Sequence, residues 1–95
     1  MITITFVETR PNLNVDFYRV PGGYIDYIQK YNDIRHRAVY EWSLADDLLS
    51  RTFVVNYDSQ EGYDAFLNDT IVIEMINAQN TYNTTNNITS NKSVS

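Results

Sequence analysis

The chain contains no cysteine, which excludes disulfides, iron–sulfur clusters and thiolate zinc sites while leaving the redox compartment open. It has one histidine, His36, so no histidine pair can bind a metal and no histidine-dependent triad has a spare member. No window approaches the roughly 18 consecutive apolar residues of a membrane span. The first ten residues alternate and lack a basic start followed by an apolar run, so they read as a strand and not as a signal peptide. Positive charge is scarce: seven Lys and Arg face twelve Asp and Glu, for a net charge of −5 and a pI near 4.5. Such a chain repels phosphate backbones, and Arg19, Lys30, Arg35 and Arg37 amount to a local basic spot rather than a stripe. These absences point away from nucleic acid and membranes and towards a protein of the cytoplasm.

Aromatics are plentiful, with eight Tyr, four Phe and one Trp among 95 residues. One domain fits this length, and a domain of this size buries only about 60–70% of its unfolded surface. Self-association would add stability, and tyrosine suits interfaces because its ring packs while its hydroxyl stays hydrogen-bonded.

The most informative stretch is a β-hairpin from His36 to Tyr57. Residues 35–42 and 49–57 both alternate, with Ser43 to Leu48 as a polar turn. Alternation puts Ala38, Tyr40 and Trp42 on one strand face, and Arg51, Phe53, Val55 and Tyr57 on one face of the next. Ahead of the hairpin, Ile2, Ile4 and Phe6 share a face of a first strand that ends near Pro11. Val15 to Val20 is extended up to Pro21, giving either a bent first strand or a small strand–turn–strand. Pro21-Gly22-Gly23 then opens a short helix whose inward stripe is Tyr24, Ile25, Ile28 and Tyr31. After the hairpin, Asp58 reads as an N-cap with Glu61 in the capping-box position. Tyr63, Phe66 and Leu67 form the inward face of that helix. Asn68-Asp69-Thr70 breaks and recaps the chain, and Ile71, Val72, Met75, Ile76, Gln79 and Tyr82 keep helical spacing. The polar segment 83–95 is either a tail or a final edge strand around Ile88 to Ser90, and a four-stranded sheet favours the strand.

Strand, helix, strand, strand, helix, strand is the split βαβ order, so the expected class is α+β, ferredoxin-like, with an antiparallel sheet and helices on one face. The opposite face would then carry aromatics needing cover, which a second sheet could supply. The hairpin running into Tyr57-Asp58-Ser59-Gln60-Glu61 resembles the dimeric α+β-barrel superfamily, which includes antibiotic-biosynthesis-type monooxygenases and non-catalytic members. The acidic, cysteine-free, Asn/Thr/Tyr-rich composition is also similar to that of short orphan proteins of tailed phages. The first resemblance implies a homodimer or higher homo-oligomer; the second implies a host-cytoplasmic or virion location.

No catalytic constellation stands out. Asp46, Asp47, Asp58 and Glu61 fit no Ca²⁺-loop spacing and are accounted for by a turn and a cap. The Asn-x-Ser/Thr triplets at Asn68, Asn83, Asn87 and Asn91 presuppose secretion and read as chance matches. His36, between two arginines, reads as a solvated strand-end residue. Tyr18, His36, Tyr40, Trp42, Phe53 and Tyr57 are the candidates for an interface or ligand pocket. The first reading is a small non-catalytic homo-oligomer, of the kind phages encode as accessory or virion components, acting by protein–protein contact and holding no cofactor or metal. The alternative is a cofactor-independent oxygenase or aromatic-ligand binder with a pocket lined by Phe6, Tyr18, Tyr40, Trp42 and Phe53.

Overall fold

Alternating and helical segments sort as their periodicities require. The computed structural model describes residues 1–34 and 37–95, the side chains of 32–42 excepted. Its elements are β1 (Ile2–Thr9), α1 (Gly22–Ile34), β2 (Arg37–Leu44), β3 (Ser50–Tyr57), α2 (Gln60–Leu67), α3 (Thr70–Thr85) and β4 (Thr89–Val94). The strands form one antiparallel sheet in the order β2-β3-β1-β4, so the fold is α+β. The connection from β1 to β2 passes through α1 and steps over β3. The connection from β3 to β4 passes through α2 and α3 and steps over β1.

Several local expectations are corrected. Residues 15–20 form no strand; they are an irregular extended segment leading to Pro21. The first helix continues three residues past Tyr31, to Ile34. Its half-buried stripe includes Tyr27, and Ile25 is exposed. The N-cap of α2 is Ser59, not Asp58: its hydroxyl accepts from the Gly62 N–H at 3.1 Å. Ser59 lies three residues before Gly62, and Glu61 is therefore one position short of the capping box. Asp69 caps α3, accepting from the amides of Ile71 and Val72. That helix ends in a Schellman motif. The Ile88 N–H reaches the Asn83 carbonyl at 2.8 Å, the Asn87 N–H reaches that of Thr84 at 3.4 Å, and Asn87 takes the left-handed φ of 57°. Asparagine tolerates that conformation better than most side chains, so the chain can turn sharply into β4.

The core lies between one sheet face and the helices. Ile4, Val55 and Tyr57 from the strands pack with Tyr31, Tyr63, Phe66, Val72 and Met75 from the helices, and Ile2, Phe6 and Phe53 border the cluster. Rings meet edge-on where Tyr31 approaches Phe66, with centroids 5.2 Å apart and planes at 88°, a favoured aromatic geometry. The expectation of an uncovered aromatic face therefore fails for Phe53 and Tyr57. Tyr57 is buried against Tyr63 and Phe66 of α2, and Phe53 is half-buried at the border of the same cluster, because Phe53, Val55 and Tyr57 continue the face that Ile2, Ile4 and Phe6 present from the paired strand. The opposite face consists of Thr3, Thr5, Val7, Thr52, Val54 and Asn56. Along it the Thr3 hydroxyl donates to Asn56 Oδ1 at 2.8 Å, and Thr9 and Ser50 share a hydroxyl–hydroxyl bond of 2.8 Å. The residues of this face are half-buried, except Asn56, which is buried.

Trp42 is paired in register with Phe53, and a register shift falls between Val39 and Glu41. Strict alternation across Ala38, Tyr40 and Trp42 is therefore interrupted at the bulge. Among the described residues, no helix is long and apolar enough to cross a membrane.

Candidate functional site

Strand β1 places Ile2, Ile4, Phe6 and Glu8 on one face, so its two-residue period carries a carboxylate into the core-facing row. Strand β3 does the same with Arg51, which continues the row of Phe53, Val55 and Tyr57. Register pairs Glu8 directly with Arg51. The carboxylate is 1% exposed and meets the guanidinium at 2.6 Å and 2.7 Å. A buried carboxylate needs hydrogen bonds on both oxygens, since burial without partners is prohibitively unfavourable. Helix α3 supplies them. Its inward stripe changes from Val72 and Met75 to Gln79 and Asn83 as it passes Glu8, and both amides donate to Glu8 Oε2, at 3.2 Å and 2.9 Å. The other amide atom of Asn83, Oδ1, is buried with no partner.

From this pair the network runs outward to the hairpin end. Arg51 also donates to the Tyr18 carbonyl at 3.0 Å. Phe17 lies within cation–π distance of two guanidinium groups, with Arg10 4.6 Å and Arg51 4.7 Å from its centroid. Arg10 donates twice to the Leu48 carbonyl, at 3.0 Å and 2.7 Å, and once to that of Val15, at 3.1 Å. The turn between β2 and β3 is thus fastened to the irregular segment 10–18. Leu48 occupies the left-handed region at φ 63°, where a branched side chain is strained and glycine or asparagine would be easy. Its side chain is nevertheless exposed, as are those of Leu44 and Leu13. Charge is inside and leucine outside.

A second polar cluster joins α1 to α3. The hydroxyls of Tyr27 and Tyr31 both donate to the Asp69 carboxylate, with Lys30 Nζ 3.5 Å away and 3.9 Å above the Tyr27 ring. The Tyr31 hydroxyl, above all, holds the Asp69 carboxyl down to about 2; Tyr27 and the Ile71 and Val72 amides act in the same direction, against burial. Tyr24 donates to Glu74 at 3.0 Å, and stabilisation of its protonated hydroxyl by that carboxylate raises its pKa. These contacts describe a fastening between two helices.

The candidates from sequence are dispersed. Phe53 stacks on Phe6 at the border of the core at 5.1 Å, Tyr57 packs with Tyr63 at 5.1 Å, and Tyr18 pairs with Tyr82 at 5.4 Å. His36 and the side chains of Tyr40 and Trp42 lie outside the described residues. Two surface depressions, one lined by Asn80, Thr81, Thr84 and Thr85 and one by Pro21, Gly23, Tyr24, Tyr27 and Ile71, involve none of these candidates. Among the described residues no three His, Cys, Asp or Glu gather as metal ligands. Sequence reading missed Glu8, although the signal was present: an acid at the fourth place of an apolar period-two row, opposite an arginine in the matching row.

The chain matches no protein-family model, no curated protein and no solved structure.

Proposed function

We propose that this is a small non-catalytic α+β protein that works by protein–protein contact, with the arginine-fastened hairpin end as its docking surface. The observation that carries the reading is Leu48, an exposed leucine held in a backbone conformation that opposes its side chain. Strain of this kind costs on the order of 1–3 kcal/mol and persists where the surroundings over-determine it. Here two hydrogen bonds from Arg10 to the Leu48 carbonyl do so. Among the described residues, Leu48 belongs to no part of the apolar cluster that forms the core. A contact surface accounts for an apolar group there, and exposed leucines at position 13 in segment 10–18, at position 44 closing β2 and at position 48 in the turn after it supply one. The order β2-β3-β1-β4, with antiparallel neighbours and crossovers through helices, supports the ferredoxin-like reading of the scaffold.

The test is a photo-crosslinking residue placed at position 44 or 48, and at exposed Asn80 for comparison, in a lysate of the source organism. A discrete adduct from the two hairpin positions, weakened by Arg10→Ala and absent from position 80, is expected. Adducts of equal yield from all three positions, or none from the hairpin, would remove the proposal.

A further inference from the structure

The two edges of the sheet are built differently. At one edge, β2 carries a register shift between Val39 and Glu41, and bulges blunt an edge against pairing with other chains. At the other edge, β4 runs regularly from Thr89 to Val94 without proline or bulge, and all its residues are exposed. Ser95 exchanges both backbone bonds with Thr3, each at 2.9 Å. Antiparallel alternation then directs the N–H and C=O of Asn91 and Ser93 to β1 as well, and those of Ser90, Lys92 and Val94 outward. An outward row of backbone donors and acceptors is a template for another strand. The strand's one charge does not guard it: Lys92 Nζ donates to the Tyr63 hydroxyl at 3.1 Å, drawn back over α2.

We infer that β4 is a self-association surface on which a second copy of this chain pairs its own β4, antiparallel and about a two-fold axis. The geometry argues for a second copy because an antiparallel edge is self-complementary under two-fold symmetry, the usual symmetry of homodimers. The strand Thr-Ser-Asn-Lys-Ser-Val also contains no acidic residue to repel itself. With Ser93 at the axis, Lys92 of each copy faces Val94 of the other. The two ammonium groups are then not opposed, which avoids the penalty for like charges directly across strands. The two sheets become one continuous sheet, β2-β3-β1-β4 followed by its mirror order.

Proline separates this edge from the ladder within the subunit. Lys92→Pro or Val94→Pro removes an outward N–H that the second copy's strand would use and spares the bonds to β1, whereas Asn91→Pro removes an inward one. Sedimentation from low to high micromolar concentration should show a wild-type dimer and monomeric Lys92→Pro and Val94→Pro, both with native far-UV circular dichroism. Asn91→Pro should lower the melting temperature. Leu48→Asn should leave the dimer intact, which keeps this surface distinct from the hairpin end. A wild-type monomer throughout the range, or folded dimers of both outward proline variants, would overturn the inference.

Discussion

The middle of the β1–β3 ladder and its hairpin end have opposite polarity. In the middle, Ile4 and its partner Val55 are buried beneath the helices, while Thr5 and its partner Val54 lie on the open face. Two pairs further along, Glu8 and Arg51 are buried and Leu44 and Leu48 are exposed. The two strands therefore obey the ordinary inside–outside rule in one place, and about 13 Å along them, at about 3.3 Å per residue, they enclose charge beside a β2 end and a turn that expose leucine. Apolar burial in the middle drives folding. The reversed end needs a dedicated set of amides and guanidinium groups to hold it, and departures from local rules cluster at places selected for something other than stability.

The strongest way to break the contrast is to strip one charge from the buried end. Glu8→Ala leaves Arg51 mostly buried without its carboxylate and should cost about 3–5 kcal/mol, read from urea unfolding. The double change Glu8→Leu with Arg51→Leu should recover part of that loss, since an apolar pair of similar volume is often as stable as a buried ion pair, while the Gln79 and Asn83 amides lose their acceptor. If Glu8→Ala costs less than about 1 kcal/mol, the pair is a surface contact in effect and the reversal of polarity carries little energy.

Within the middle, neighbours on one strand sharpen the comparison. Ile4→Ala removes a fully buried side chain and should cost about 2–5 kcal/mol. Thr5→Ala, one residue on and facing outward, should cost less than about 1 kcal/mol. Equal costs from the two in the same unfolding assay would mean that the open face is covered in solution. That would revive the idea of a second layer on it.

Periodicity made the middle legible and left the end obscure. The face shared by Ile2, Ile4 and Phe6 and that shared by Phe53, Val55 and Tyr57 are both visible as period-two rows, and they do meet. What alternation does not reveal is which face the helices take. Alternation alone made Phe53 and Tyr57 candidates for an interface or pocket, whereas Tyr57 lies in the core and Phe53 at its border. The start of α2 was misplaced by a residue because Asp58 and Ser59 are both good caps and only the backbone geometry chooses between them. The candidate end was hidden for another reason. Glu8 meets Gln79 and Asn83 more than seventy positions away, and Arg10 meets Leu48 thirty-eight away, so the fastening exists only once the chain is folded.

Another carboxylate shows how a charge behaves when its position follows the rules. Asp69 sits at a helix N-terminus and is held down to about 2 from 3.8, chiefly by the Tyr31 hydroxyl. A depressed folded pKa means this contribution is complete above about pH 5 and is lost as pH falls through 3.8 towards 2. Asp69→Ala should cost about 0.5–2 kcal/mol at neutral pH, the usual effect of losing an N-cap. Its unfolding midpoint should also fall less steeply with acid than that of the parent. Parallel pH curves for the two proteins would show that the tyrosine hydroxyls do not stabilise the ionised carboxylate.

The smallest effect is the most diagnostic. At φ 63°, Leu48→Asn replaces a residue that resists the left-handed region with one that accepts it. The Arg10 bonds are to the backbone carbonyl and survive the change. Stability should therefore rise by up to about 1 kcal/mol, measured as a higher urea midpoint at unchanged slope. Crosslinking from position 44 should weaken at the same time, because the docking surface has lost an apolar group. A gain in stability coupled to a loss of docking is what separates a leucine kept for contact from one kept for packing. If Leu48→Asn instead lowers the midpoint, the side chain stabilises its own subunit, and the hairpin end becomes an ordinary turn with an unusual backbone.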